Sequence, residues 1–306
     1  MIYTVYLNPT IDKTVYLDHL EVGGTNRPDT VLTQGGGKAL NLAIVASRLG
    51  AEASVCGFLC QEGCEQIRSA LAGLPCYFTE LPGQPRTNTK IYERDAARVT
   101  ELNESGPLFA PEAYEAFERD LLSRLCGEDL VVLTGSLPRG CAPEYYGQLI
   151  RKLPCPAALD ASGAALLPGV AAGPMVIKPN TDELTQLTGK TFHSTQDILA
   201  ACRQIIEGGV SVCAVSMGKE GALITDGSKA FFAGSVVENP DSTVGAGDSM
   251  LAGILSVITR GGAIDEALRV GSAAAAATIS LPGTNLATPK LIQEFLAKVT
   301  TTELEF

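Results

Sequence analysis

Apolar and polar positions along the chain follow two alternating rhythms. Short, mostly apolar runs at residues 2–7, 53–58, 130–134, 157–160, 175–178, 212–216 and 222–225 have the length of strands. Several are continuous in Val, Ile and Leu, the pattern of strands covered on both faces. Between them, residues 39–49, 111–125, 144–152, 198–207, 249–259 and 263–279 carry helical spacing. This alternation predicts a parallel sheet with helices on both sides. Two segments break it. Residues 14–33 and 86–101 alternate with period two, as in Thr87-Asn88-Thr89-Lys90-Ile91-Tyr92, with turn residues between. They are expected to form antiparallel strands outside the main sheet, a small lid beside the core. No internal repeat, low-complexity tract or Pro/Ser-rich linker is visible.

Composition narrows the classes. A chain of 306 residues makes one large α/β domain or two smaller ones, at roughly 150 residues per domain. Hydrophobic residues supply 45%, enough for a sizeable core, and charged residues only 19%. Lys plus Arg total 23 against 34 for Asp plus Glu, a formal net charge of -11 with no basic stripe. Nucleic acid is therefore not an expected partner. No uncharged apolar run reaches the ~20 residues of a membrane span, and no membrane partner is expected. The first residues, Met1 to Pro9, lack a basic leader and a cleavage site, so they read as a first strand and the cytoplasm as the expected location. Nine cysteines include Cys56, Cys60 and Cys64 at four-residue spacing, but that is not Cys-x-x-Cys, and His19 and His193 are the only histidines. Reduced thiols of an intracellular protein are the expectation.

Ligands of open α/β sheets gather beyond the carboxyl ends of the strands, and residues with chemistry cluster there. Gly245-Ala246-Gly247-Asp248 precedes the apolar helical pattern of Met250, Leu251, Ile254, Leu255 and Ile258. Small residues at a helix start let N–H groups converge on an anion. Asp248, beside such a hole, can accept a proton from a hydroxyl as that hydroxyl attacks phosphorus. A plain helix cap fits the same run. A dinucleotide fingerprint does not, because Met250 stands where the third glycine belongs. Gly35-Gly36-Gly37-Lys38-Ala39-Leu40-Asn41 also opens a helix, but Ala39 replaces the Ser/Thr of a P-loop. What remains is a backbone open to close approach, a phosphate-attracting Lys38, and an Asn41 able to bridge hydroxyls.

Further strand ends add to the set. Asp12 after the first strand suits paired hydroxyls, or a turn cap. Ser136 lies in Gly135-Ser136-Leu137-Pro138, after the run 130–134. Lys178-Pro179-Asn180-Thr181-Asp182-Glu183 fits a capping box, with Asn180 as cap and Glu183 at the third helical position. It also fits a magnesium site beside a nucleoside triphosphate. Ser216-Met217-Gly218-Lys219-Glu220-Gly221 forms a glycine turn suited to lining a nucleotide. Arg86 and Lys90 in one lid segment and Arg27 in the other can clamp a second phosphate, or are simply solvated.

In this order, these runs resemble the ribokinase-like PfkB family of carbohydrate kinases over essentially the whole chain, most closely its 1-phosphofructokinases and tagatose-6-phosphate kinases. The stretches that carry the resemblance are Leu7-Asn8-Pro9-Thr10-Ile11-Asp12, Gly36-Gly37-Lys38 with Asn41, Arg86-Thr87-Asn88, Thr100-Glu101-Leu102-Asn103, Gly135-Ser136-Leu137-Pro138, Lys178-Pro179-Asn180 with Glu183, and Val244-Gly245-Ala246-Gly247-Asp248. The resemblance implies a ribokinase-like α/β fold, a doubly wound, mainly parallel sheet with helices on both faces and a β-sheet lid. It implies one kinase domain over 1–306, with core 1–11, 35–84 and 104–306 and lid 12–34 and 85–103. It implies ATP as donor, Mg2+ as the required ion, a phosphosugar acceptor (most simply fructose 1-phosphate) and a homodimer joined through the lid. Tagatose 6-phosphate, an unphosphorylated sugar or nucleoside, and a non-catalytic binding role stay open as alternatives.

By residue, the resemblance makes Asp248 the base and Gly245, Ala246 and Gly247 the anion hole. Asp12 and Asn41 become sugar ligands beside Gly36 and Gly37. Lys38, Arg86, Lys90 and Arg27, with Ser136 nearby, become ligands of the substrate phosphate. Lys178, Asn180, Ser216, Gly218 and Gly221 fall on the nucleotide, and Asn180 and Glu183 on the metal. One departure stands out: the family has Gly-Gly-Lys-Gly where this chain has Ala39. Its Cβ is expected to narrow the approach to the sugar and to tune substrate choice.

Overall fold

The computed structural model describes residues 1–96, 98–238 and 243–305. In chain order its strands are β1 (Ile2–Tyr6), β2 (Thr10–Leu17), β3 (Thr30–Gly36), β4 (Ala53–Cys60), β5 (Cys76–Leu81), β6 (Arg86–Glu93), β7 (Arg98–Asn103), β8 (Leu130–Thr134), β9 (Ala157–Asp160), β10 (Val176–Ile177), β11 (Val212–Ser216), β12 (Ala222–Thr225), β13 (Ala230–Ala233) and β14 (Thr302–Glu303). The helices are α1 (Lys38–Arg48), α2 (Glu65–Ala70), α3 (Pro111–Arg124), α4 (Tyr145–Lys152), α5 (Leu166–Val170), α6 (Thr181–Thr188), α7 (Thr195–Glu207), α8 (Ala246–Ile258), α9 (Ile264–Ile279) and α10 (Pro289–Leu296).

The large sheet runs β14-β13-β12-β11-β10-β9-β8-β1-β4-β5. From β5 to β11 every neighbour is parallel, and β12, β13 and β14 close one edge antiparallel. The continuous apolar runs divide their side chains between two cores, because successive residues of a strand point to opposite faces. In β8, Val131 and Leu133 join Phe117, Leu121 and Tyr146 of α3 and α4. Leu130 and Val132 join Leu42 of α1, Leu251 of α8 and Ala273 of α9 on the other side. The mainly parallel, doubly covered sheet expected from the sequence is the one observed. Strand β5 was not expected: it borders the sheet, and its partly exposed Cys-Tyr-Phe-Thr-Glu-Leu run mixes apolar and polar residues.

The second sheet is small and separate, in the order β3-β2-β6-β7. Its pairing corrects one expectation. β2 pairs antiparallel with β3, and β6 with β7, but the central pair β2–β6 is parallel, from Thr10↔Arg86 to Leu17↔Glu93. The reason is topological. β2 follows β1 and β6 follows β5, so both leave the same edge of the parallel core and run outward side by side. Tyr6 fastens this sheet to the core: its hydroxyl accepts from Thr10 N at 2.6 Å and donates to Gly36 O at 2.9 Å.

Helix α8 presses on α9 backbone to backbone. A Cβ on Gly253 would lie 2.7 Å from the Cα of Gly271, and one on Gly271 would lie 2.8 Å from Met250 O. Gly253→Ala would normally favour a helix by about 1 kcal/mol, but here it forces the two helices apart, an overpacking cost of typically 1–3 kcal/mol. Urea denaturation of Gly253→Ala should register a net loss of stability. A gain would mean that the two helices yield freely at this crossing.

Candidate active site

Two cavities open along the carboxyl edge of the core sheet, and they meet. One, of about 490 Å3, lies beneath the small sheet and is lined by Asp12, Lys38, Asn41, Arg86, Lys90 and Asp248 among others. The other, of about 580 Å3, extends over β10 and β11 and takes Lys178, Asn180, Glu183, Ser216, Gly218 and Gly221. Lys38, Thr243 and Gly247 line both. Apart from Gly36 and Arg27, the residues proposed from the sequence fall into the two chambers, with Lys38 and Gly247 at their junction. Arg27 stands apart, exposed in the loop between β2 and β3, and lines neither cavity.

Two helices begin at this junction, each behind a glycine. Gly37 precedes α1 with φ 108°, and Gly245 precedes α8 in the left-handed region at φ 76°. Neither helix start has a side-chain cap, so first-turn N–H groups and the positive ends of both helices face the cavities. A larger residue at either glycine would be strained by its positive φ. At Gly37 a Cβ would also meet the Tyr6 ring at 2.7 Å. Helix α6 is built the other way: Asn180 Oδ1 accepts from Glu183 N at 2.8 Å, and Glu183 Oε2 accepts from Asn180 N at 2.9 Å. The capping box is real, and it still leaves the second Glu183 oxygen uncommitted by the box.

On the wall of the second cavity lies a residue that the sequence reading passed over. Asp160 ends β9, its side chain only 1% exposed, and meets Lys38 Nζ at 3.1 Å and Lys178 Nζ at 3.5 Å. Burial pushes its carboxyl up, but the two ammonium groups and the bonds they donate outweigh it and hold Asp160 below the usual carboxylate range. Burial likewise opposes the charge on Lys38, and the carboxylates of Asp160 and Asp248 overcome it, leaving the lysine above its ordinary range. A charged residue at the carboxyl end of a fully buried strand was the available signal.

The other side chains are held by specific partners. Asp248, 5% exposed in the first turn of α8, accepts from Asn41 Nδ2 at 2.8 Å on its Oδ2. Burial raises its carboxyl above the usual value, Lys38, Asn41 and Lys178 pull it back, and Asp160 adds to the rise. Asp12 is paired: Lys90 Nζ lies 3.3 Å from Oδ2, and Asn88 Nδ2 donates to Oδ1 at 3.4 Å. Lys90 is therefore spoken for by a carboxylate, whereas Arg86 donates to the neutral Thr10 hydroxyl at 2.9 Å and to Glu104 O at 3.1 Å. Ser136 Oγ accepts from Asn8 Nδ2 at 3.2 Å. Gly36 backs the Asp12 carboxylate, where a Cβ would lie 2.5 Å from Cγ.

Such an arrangement defines a class of protein. One chamber suits a polar acceptor under a lid. The other suits a phosphate-bearing donor, with an anion-binding helix start and a buried carboxylate between them, as group transfer to a hydroxyl requires. The chain belongs to the pfkB family of carbohydrate kinases, whose family model matches residues 6–291. It is 33% identical to the 1-phosphofructokinase of Haemophilus influenzae, with 99% of each chain covered. It is 32% identical to that of Bacillus subtilis, over 99% of this chain and all of the relative. Among solved structures it is similar to phosphofructokinase-2 from Escherichia coli in complex with substrates and products, with a TM-score of 0.92, 27% identity and coverage of 97% and 98% of the two chains.

Ala39, the departure from the family pattern, lines the cavity beneath the small sheet and belongs to the core as well. It occupies the first turn of α1 in helical conformation, is 1% exposed, and packs in the core with Leu40 and Ala43. The residue thus serves both the core packing and the cavity wall. Ala39→Gly should lower stability by about 1 kcal/mol in urea denaturation and leave the order of preferred acceptors unchanged. A changed acceptor order at unchanged stability would give the cavity contact the larger role.

Proposed function

We propose that this chain is an ATP-dependent phosphosugar kinase that converts fructose 1-phosphate to fructose 1,6-bisphosphate. The observation that carries the reading is the meeting of the two cavities at Lys38 and Gly247, with Asp248 on the lid side of that junction. The 1-phosphofructokinases that match it nearly end to end support the choice of acceptor.

In this reading the sugar lies beneath the lid with its hydroxyls toward Asp12 and Asn41. Its phosphate lies toward Arg86 and Ser136, since Arg86 donates to the neutral Thr10 hydroxyl and Glu104 carbonyl while Lys90 neutralises Asp12. ATP occupies the other chamber, its base against apolar residues such as Val236, Val237 and Ile279, and its phosphates toward Lys178 and the start of α8. Asp248 accepts the proton of the acceptor hydroxyl as the oxygen bonds to the γ-phosphorus and the bond to the ADP oxygen breaks. Lys38, Lys178 and the N–H groups of Gly245, Ala246 and Gly247 oppose the charge of the transferring group.

The donor side also fits magnesium, which takes few protein ligands and keeps waters and phosphate oxygens. Glu183 would hold it through its uncommitted oxygen, with Asn180 alongside, and bound there the ion neutralises phosphate charge. The proposal includes a homodimer through the lid, whose outward row Val31, Val15 and Ile91, in register across three strands, is left apolar and at least partly exposed. It also includes a cytoplasmic location, in keeping with nine free cysteines.

Steady-state assays with ATP, magnesium and a panel of acceptors test the substrate. Fructose 1-phosphate should give the highest kcat/KM, ahead of tagatose 6-phosphate and fructose 6-phosphate. Faster turnover of ribose or adenosine than of any phosphosugar would overturn the phosphosugar reading. In the same assay Asp248→Asn should cut kcat by at least ~100-fold with little change in sugar affinity measured by calorimetry. Retained turnover would remove Asp248 from the role of base.

A further inference from the structure

The amide of Asn41 does more than line the acceptor chamber. Its Nδ2 donates to Asp248 Oδ2 at 2.8 Å, between residues 207 positions apart in the chain. The spacing is built into the core. Asn41 is in the first turn of α1, its N–H bonded to Gly37 O at 3.2 Å. Leu42, Val45 and Ala46 of the same helix belong to one packed cluster with Leu251 and Ile254 of α8. The two helices thus set the distance between amide and carboxylate, and neither side chain has to find the other from solvent.

An aspartate's terminal torsion is broad and roughly two-fold. Unheld, its two oxygens exchange places, and a base that must meet one hydroxyl in one direction loses part of its productive population. Resting on the reading of Asp248 as base, we propose that Asn41 is its positioning residue: the amide holds Oδ2 and so makes Oδ1 the oxygen that meets the acceptor hydroxyl. This goes beyond the sugar-ligand role, because the Nδ2–Oδ2 bond joins two groups of the protein itself.

The chemistry of an amide suits the task. Asp248 is also faced by Lys38 from α1, by Lys178 after β10 and by Asp160 at the end of β9. The two lysines favour its ionised form and Asp160 opposes it. Both lysines line the donor chamber, so arriving phosphates share their charge. The amide does not titrate, and its donor remains on Asp248 whatever the lysines face. Removing it leaves a buried carboxylate with one hydrogen bond fewer, so its protonation moves to higher pH.

The test is a pair of variants, Asn41→Ala and the isosteric Asn41→Asp, assayed with fructose 1-phosphate from pH 5 to 9 beside the unchanged enzyme and Asp248→Asn. In Asn41→Ala, kcat should fall ~10- to 100-fold, the scale of a hydrogen bond to a charged group. KM for the acceptor rises with the lost sugar contact, and the positioning role is read from the fall in kcat and from the acid limb of the kcat/KM profile, which should move to higher pH. The substrate phosphate titrates equally in every assay, so the difference from the unchanged enzyme isolates the protein. In Asn41→Asp a second carboxylate beside the first should carry the limb further up. Should Asn41→Ala fail to fold, as judged by circular dichroism, the Asn41→Asp profile decides alone. A raised KM with unchanged kcat and acid limb would leave Asn41 a sugar ligand only and refute the positioning role. If Asp248→Asn itself keeps its turnover, the base assignment fails first, whatever the Asn41 variants do.

Discussion

A carboxylate buried between two ammonium groups organises this site. Asp160 reaches Lys38 at the start of α1 and Lys178 after β10, so one side chain ties three elements together beside the lysine that lines both chambers. Taking any of these charges out of water alone would be costly, and a buried pair holds only because each charge compensates the other. The grouping also keeps two like-charged lysines close enough to act on one anion. The consequence reaches the backbone: a Cβ at Gly247 would lie 3.2 Å from Lys178 Nζ, so the glycine leaves room for the lysine beside the anion-binding turn. The cationic focus exists in a chain of net charge -11, which is why overall charge excluded nucleic acid yet said nothing about phosphate.

Glycine and polar residues at helix starts acquire meaning from what does or does not cap them. Asn180 and Glu183 satisfy the start of α6 with their own side chains. The starts of α1 and α8 have glycine in the capping position and no side-chain acceptor, which leaves anion-binding capacity to a ligand. The sequence alone offered both interpretations for each run, and it had no means of telling which helix would be self-satisfied. Position resolves it: α1 and α8 begin where the two cavities meet.

Most of the core was legible because buried strands are long, apolar and spaced by helices. The strands at Leu130–Thr134, Ala157–Asp160, Val212–Ser216 and Ala222–Thr225 have the limits that their apolar runs suggest. Strand β5 was not, since a half-exposed edge strand has no need of a clean apolar pattern. Parallel pairing of β2 with β6 was hidden for another reason: period-two alternation reveals a strand's faces but not the direction of its neighbour, which here follows from where each hairpin leaves the core. Asp160 escaped because no glycine or proline marks its turn as special until Gly163. The Lys90–Asp12 pairing was invisible because its two residues lie on different strands far apart in the chain, and only the pairing of β2 with β6 brings them within 3.3 Å.

The connection of lid to core gives the separate pieces a common mechanical frame. Strand β3 ends at Gly36, Gly37 begins the next element, and Lys38 and Asn41 follow within the first turn of α1. Asp12 lies against Gly36, and Tyr6 bonds both Thr10 and Gly36 from the core strand beneath. A ligand that engages Asp12 therefore acts within a few residues of the lysine at the chamber junction and of the amide on Asp248. Because α1 is packed along α8, displacement of the β3–α1 corner cannot be absorbed by a loose loop; it would have to move the helix starts themselves. The packing that sets Asn41 against Asp248 thus begins within one turn of the tyrosine-bonded corner that attaches the small sheet.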